Sequence, residues 1–343
     1  MKPAPLRWTG RIRWLLLMLV LAVALSVLAW IGWRDYHRFT QLALGSEHVV
    51  HFERGMRLKD LAAQLRQDGV SAAPYWQWRL LAEQMRVSKS LKAGEYRISP
   101  EATPRALLQA IVDGRVVQYR ITIIEGSRFS ELRSSVAKHA QLEQTLGGLS
   151  DVQVLERIGA TESHAEGLFL PDTYFFPRGF SDLDLLKRAY WAQKSLLDQA
   201  WQKRTKDLPL ANAYQALTLA SIIEKETGQS GERAEIGGVF VNRLRQGWRL
   251  QTDPTVIYGM GAAYDGNIRR TDLETDNPYN TYTRFGLPPT PIALPGKAAI
   301  LAATQPLLTE SMYFVARGDG SHVFSRTLDD HNAAVRRFQL GQP

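Results

Sequence analysis

Cysteine is absent from the 343-residue chain, which excludes a disulfide framework, a thiolate-held zinc or iron–sulfur site and a cysteine nucleophile. The seven histidines form no HExxH pair, and His322 and His331 lack a metal-ligand spacing, so no metal centre is expected. Neither a GxSxG nucleophile turn nor a GxxxxGK(S/T) phosphate loop occurs, which argues against a serine hydrolase and a nucleotide site. Basic runs are also missing. Beyond residue 38, Lys and Arg alternate with Asp and Glu, so nucleic-acid binding has no patch to rest on. What is present is an ordinary globular composition, 45% hydrophobic and 22% charged, in a chain long enough for about two domains.

One apolar run stands out. Trp14 to Trp33 is 20 residues without a charge, and at about 1.5 Å per residue a helix of that length spans roughly 30 Å, the thickness of a bilayer core. Trp14, Trp30 and Trp33 mark its ends, and Lys2, Arg7, Arg11 and Arg13 precede it with no acid among them. The positive-inside bias then puts residues 1–13 in the cytoplasm, 14–33 across the membrane and the rest beyond it. The run closes in WIGWRDYHRF with no small-x-small cleavage site, so a retained anchor is expected rather than a signal peptide. Residues 1–38 hold six basic side chains and one acid, which is five of the net charge of +8. The basic excess is mostly a topology signal.

Residues 45–117 read as a small α+β segment: a strand at Val49 to Phe52, helices at Leu58 to Leu65 and Tyr75 to Met85, a strand at Gly94 to Ile98, and a helix opened by Thr103-Pro104. The run Gly55 to Leu61 echoes Gly126 to Leu132, each after a β-rich stretch; any strand–glycine–amphipathic-helix unit reads this way, and one pair is too little for a repeat architecture, so shared grammar is favoured over duplication. Residues 118–343 stay mixed, with helices at Asp182 to Lys203 and Ala213 to Thr227. Gln251 to Pro295 is dense in Gly, Pro, Asn, Asp and Tyr, and reads as a long functional loop with a ligand-binding surface.

Chemistry is most readable in AYQALTLASIIEKET (Ala213 to Thr227). On a helix Glu224 lies beside Leu217 and Ala220, and Glu226 beside Leu219 and Ile222. Burial among such neighbours disfavours a carboxylate and raises its pKa toward that of a general acid. Periodicity favours neither glutamate. The two point about 200° apart, so they are not the pair about 5 Å apart that a retaining glycosidase uses; the bland reading for each is a helix-end glutamate paired with Lys225, Arg233 or solvent. Gln251, Thr252 and Thr255 offer neutral hydrogen bonding suited to sugar hydroxyls or amides, while Asp253-Pro254 also reads as a helix opening with Asp253 as N-cap. Asn277 to Tyr282, followed by Gly286 to Ile292, fits either a groove for a polymer with apolar ring faces or a proline-stiffened loop packed by its own aromatics.

Four stretches carry a resemblance. ASIIEKET (Ala220 to Thr227), VFVNRLRQGWRLQTDPTVIYGMG (Val239 to Gly261), NPYNTYTRFGLPPTPIALPG (Asn277 to Gly296) and EGLFLPDTYFFP (Glu166 to Pro177) resemble the bacterial endolytic murein transglycosylases, the MltG or YceG-like family. The resemblance covers nearly the whole chain. It implies an α+β protein with an N-terminal transmembrane helix, a small LysM-like α+β subdomain (45–117) and a larger mixed α/β catalytic domain (118–343). It further implies a single-pass protein of the bacterial inner membrane with its catalytic domain extracytoplasmic, acting without cofactor on nascent peptidoglycan strands and leaving a 1,6-anhydro end. The first glutamate of IIEKET, Glu224, is implied as the catalytic acid. Gln251, Asp253, Asn280 and Tyr282 are the expected sugar and acetamido contacts or supports for Glu224. The closing GSHVFSRTLDDHNAAV places His322 and Asn332 near the site at most. Two other readings stand beside this one: a muramidase-type hydrolase with Asp253 as second carboxylate, and a non-catalytic glycan-binding scaffold that recruits cell-wall synthases.

Overall fold

A computed structural model describes residues 10–341; the expected cytoplasmic residues Lys2 and Arg7 lie outside the described residues. The chain divides between Gln118 and Tyr119 into two units.

The first unit begins with α1 (Gly10–Gln41), a single helix of 32 residues. Its apolar stretch is uncovered, and the helix is long and apolar enough to cross a membrane. Its last turns behave differently: Tyr36 and Thr40 are buried, and the Tyr36 hydroxyl donates to Gln84 Oε1 at 2.6 Å. Next come β1 (His48–Phe52), α2 (Leu58–Gln67), α3 (Tyr75–Gln84), β2 (Gly94–Ile98) and α4 (Pro104–Asp113). β1 and β2 pair antiparallel with Val50 opposite Tyr96. Leu61, Leu65, Trp78, Leu81, Leu108 and Ile111 fill the space between helices and sheet. Local chemistry explains the helix ends: the Thr103 hydroxyl accepts from Ala106 N at 3.2 Å, Pro104 fits the first turn, and Gly114 leaves α4 at φ +74°.

The second unit runs β3 (Tyr119–Thr122), α5 (Phe129–Ala137), α6 (Asp151–Ile158), β4 (Thr173–Phe176), α7 (Asp182–Gln202), α8 (Ala213–Glu226), α9 (Arg233–Arg245), α10 (Asp253–Met260), a 3₁₀ turn (Gly261–Ala263), α11 (Arg270–Glu274), α12 (Lys297–Thr304), β5 (Tyr313–Ala316), β6 (His322–Ser325) and α13 (Leu328–Phe338). β3 pairs with β4 and β5 with β6, both antiparallel. The expected mixed α/β layout is thus realised as helices with two small antiparallel pairs; among the described residues no named strands pair in parallel. The stretch Gln251 to Pro295 is not one irregular loop either, because Pro254 and the Arg269–Asp272 turn each start a short helix.

α8 is the axis of this unit. Every residue from Ala216 to Glu224 is buried, so the helix is enclosed on all sides by α7, α9 and α12. The close crossing of α9 and α12 requires glycine: a Cβ on Gly237 would lie 2.6 Å from the carbonyl oxygen of Ala302. At the start of α8 the Asn212 side chain accepts from Gln215 N at 3.0 Å; at its other end Glu226 is half-buried and Thr227 buried.

Candidate active site

The two glutamates of α8 enter different surroundings, as their angular separation requires. Glu224 is enclosed: Oε1 accepts from Arg233 Nη2 at 2.9 Å and Oε2 from the backbone N–H of Gly296 at 2.8 Å. Arg233 also stands 4.0 Å from Glu125, and Lys225 Nζ donates to the Gly126 carbonyl at 3.2 Å. Both Glu224 oxygens therefore have partners, tying the starts of α9 and α12 to α8, while Lys225 and Arg233 reach the β3–α5 turn; the pair reproduces the bland partner, Arg233, that the sequence offered.

Glu226, the last residue of α8, faces a second cluster. The Thr252 hydroxyl donates to its carboxyl. Burial pushes Glu226 up from 4.5 to about 6; the Thr252 bond opposes this, the nearby Asp253 adds to it, and His322 and Arg243 pull it down. Thr252 is itself locked, its N–H donating to Thr281 Oγ1 at 3.1 Å, and Thr255 joins the same hydroxyl at 2.9 Å. Thr252, not Asp253, has the extended N-cap backbone of α10, and its hydroxyl serves Glu226 instead of the helix end. Asp253 is left exposed in the first turn, where it accepts from the Tyr282 hydroxyl at 2.6 Å. Burial, then the bond to Asp253, pushes the Tyr282 phenol upward.

Arg243 and His322 stand on the inner side of this cluster. Arg243 is buried, donating through Nε to the Met312 carbonyl at 2.8 Å and through Nη1 to the Leu250 carbonyl at 2.5 Å, with Tyr313 under its guanidinium at 5.6 Å. Both hydrogen-bond acceptors are neutral carbonyls, so its charge acts on Glu226 and Tyr282 through space. His322 Nδ1 lies 2.7 Å from Glu232 Oε2, and the His322 N–H donates to the other oxygen at 3.0 Å.

The sequence-derived contacts separate into two kinds. Asp253 and Tyr282 lie near enough to Glu226 to act on its charge, and Gln251 adjoins Thr252; Gln251 is exposed and holds a left-handed φ of +50°, a strained conformation for a non-glycine residue. Asn280 does not face outward. It is 0% exposed, its amide donates to the carbonyls of Asp272, Leu273 and Thr275, and its oxygen accepts from Tyr282 N at 2.9 Å. It holds the loop that presents Tyr282. Asn332 is exposed on α13. Arg243 and Glu232 were not picked out as site residues from the sequence, whereas Thr252, offered there as a neutral hydrogen-bonding side chain, serves Glu226 in the fold. Glu166, quoted only within its motif, is a further buried carboxyl: it accepts from Phe129 N at 2.9 Å and from the Tyr258 hydroxyl at 3.2 Å, and burial raises its pKa. Among the described residues no group of His, Asp and Glu could hold a metal ion.

The model of the YceG-like family matches residues 50–337. The chain belongs to that family. A relative in Bacillus subtilis, named an endolytic murein transglycosylase, is 30% identical over 73% of this chain and 74% of its own length. A relative of the same name in Streptococcus pneumoniae is 27% identical over 71% of this chain, which spans 50% of that longer protein. Among solved structures, a YceG-like protein of Listeria monocytogenes superposes with a TM-score of 0.50 at 27% identity, covering 84% of this chain and 99% of its own.

Proposed function

We propose that this YceG-like chain is an endolytic lytic transglycosylase of peptidoglycan, and that Glu226 is its acid. The observation that carries the assignment is the contrast between the two α8 glutamates. Glu226 is half-buried, with a carboxyl that burial raises to about 6 and that one hydroxyl holds. Glu224, the residue that family resemblance singled out, has both oxygens engaged by Arg233 and Gly296. A general acid must carry a proton near neutral pH and present an oxygen to the substrate; Glu226, raised to about 6 and bonded by one hydroxyl, meets this with fewer protein partners than Glu224. Glu224 is better read as the brace that fixes the end of α8.

In this reading protonated Glu226 donates to the glycosidic oxygen between N-acetylmuramic acid and N-acetylglucosamine, and the breaking bond leaves an oxocarbenium-like sugar. The Glu226 carboxylate then takes the proton of the muramic C6 hydroxyl as its oxygen closes on the anomeric carbon. The product is a 1,6-anhydro end, with no water consumed. Arg243 and His322 stabilise the carboxylate between the two transfers. Gln251 and Tyr282 bind sugar hydroxyls or acetamido groups, and Asp253 orients Tyr282.

The single apolar helix supports membrane attachment. We read residues 1–13 as cytoplasmic, 14–33 as the span of the bacterial inner membrane, 45–117 as a LysM-like glycan-binding subdomain and 118–343 as the extracytoplasmic catalytic domain. The β1–α2–α3–β2 order supports the LysM-like reading. Mass spectrometry of glycans released by the full chain, its Glu226→Gln and its Glu224→Gln variants tests the proposal. Anhydro ends from the wild type and none from Glu226→Gln are expected. Reducing ends indicate a hydrolase, and no cleavage by any of the three indicates a scaffold that recruits synthases.

A further inference from the structure

The outer face of α3 is unusually apolar. Trp78, Leu81 and Ala82 are buried beneath it, while Tyr75, Trp76 and Leu80 are 43%, 48% and 37% exposed on the opposite side. The only charges interleaved with these three are Arg79 and Glu83, which pair with each other at 2.9 Å. At i, i+4 spacing Trp76 and Leu80 form one stripe, with Tyr75 and Arg79 beside it. An exposed patch of this kind marks a surface that contacts something apolar.

The position of α3 along α1 indicates what that is. Trp78, on the inner face of α3, packs edge-on against Phe39 at 5.0 Å, whereas Trp76, on the outer face, meets Tyr36 at 6.4 Å. Tyr36 precedes Phe39 by three residues, so passing from the inner to the outer face of α3 moves about 4.5 Å down α1 toward the apolar stretch. Trp33, which ends that stretch, is a further turn down, about 4.5 Å below Tyr36. The headgroup layer is roughly 5–7 Å thick on each side of the hydrocarbon. Trp76 therefore lies at headgroup height whenever Trp33 marks the hydrocarbon edge. Trp and Tyr are the side chains that favour this layer, with the ring body in apolar surroundings and the N–H or O–H in water.

We propose that the outer face of α3, through Tyr75, Trp76 and Leu80, beds into the lipid headgroup layer, making the first unit a second, peripheral contact with the bilayer that carries α1. The inference rests on α1 being a membrane span. α1 is one unbroken helix through Tyr36 and Thr40, which are buried in the first unit, so the height of α3 above the membrane is set by the span itself.

The absence of cysteine makes the test direct, since any introduced thiol is unique. Full-length Leu80→Cys and Tyr75→Cys proteins are labelled with an environment-sensitive fluorophore and placed in phosphatidylethanolamine/phosphatidylglycerol vesicles. Leu21→Cys reports the middle of the span, and Arg54→Cys, exposed in the β1–α2 turn, is the solvent reference. Expected at positions 75 and 80 are a blue shift relative to position 54 and loss of emission to lipids carrying a quencher near the headgroup, with little loss to quenchers at the acyl terminus. Position 21 is expected to show the reverse depth preference. Deep quenching at 21 with solvent-like emission at both 75 and 80 overturns the proposal and leaves the anchor standing. Shielded emission at 75 and 80 without lipid quenching means protein covers the face, and also overturns it. Absence of deep quenching at 21 refutes the span, and the proposal falls with it.

Discussion

Replacing Glu226 by Gln should make the protein inactive and more stable at once. The folded carboxyl titrates near 6, above its ordinary 4.5, so the fold holds the charged form against a penalty. A displacement of about 1.5 pH units corresponds to about 2 kcal/mol. That penalty is fully present above pH 6 and disappears as the pH falls below 4.5, because the folded state binds the proton more tightly than the unfolded one. Gln keeps an oxygen for the Thr252 hydroxyl and never ionises. Melting of the full chain in detergent should then show Glu226→Gln above wild type at pH 8 by up to about 2 kcal/mol, roughly 4–8 °C for a unit of this size, with the gain gone at pH 4. Cleavage should fall about 10²–10⁴-fold, the usual worth of a general acid. Glu224→Gln should do the opposite to stability, losing about 3 kcal/mol at pH 8 by leaving buried Arg233 without its close carboxylate. If Glu224→Gln proves to be the stabilised, correctly folded and inactive variant, the assignment of Glu226 is wrong.

Wild-type cleavage should decline about tenfold per pH unit above about pH 6 as Glu226 loses its proton; a flat rate between pH 5 and 8 would exclude it as acid. Tyr282→Phe removes the 2.6 Å bond to Asp253 and should lower kcat/KM about tenfold with little change in melting, whereas an unchanged kcat/KM would detach this pair from substrate. Asn280→Ala strips a donor from three carbonyls and should destabilise by about 2–3 kcal/mol, measured by urea unfolding; a loss confined to KM would mean that it touches substrate after all. Gly237→Ala forces a methyl to 2.6 Å from the Ala302 backbone and should cost about 1–3 kcal/mol; unaltered melting would show that the α9–α12 crossing can open.

Much of the local structure was legible because its signals are local. Helix α4 follows from Thr103-Pro104 at its start, and α8 from the largely apolar run Ala213 to Thr227. The choice between Glu224 and Glu226 was not legible, since a helical wheel gives both apolar neighbours. What separates them is non-local: Arg233 comes nine residues later, Gly296 seventy-two later, and Thr252 twenty-six after Glu226. Asn280 misled for a similar reason. An amide between two tyrosines suits a ligand, and only the folded loop brings three carbonyls to its side chain. Arg243 carries no sequence signal of its position, because its partners are backbone atoms of distant segments.

The enclosure of α8 divides the protein's evolutionary freedom. A helix buried from Ala216 to Glu224 has no face on which substitutions are neutral, so drift there is limited to swaps that conserve volume. Gln251 and Asp253, by contrast, are exposed on the segment that opens α10, and Tyr282 is carried on a separate loop. Under the proposed assignment, reactivity and selectivity reside on different elements of one unit. Under the same assignment, substitutions around Gln251 and Tyr282 change which strand is accepted while the helix that delivers Glu226 stays fixed.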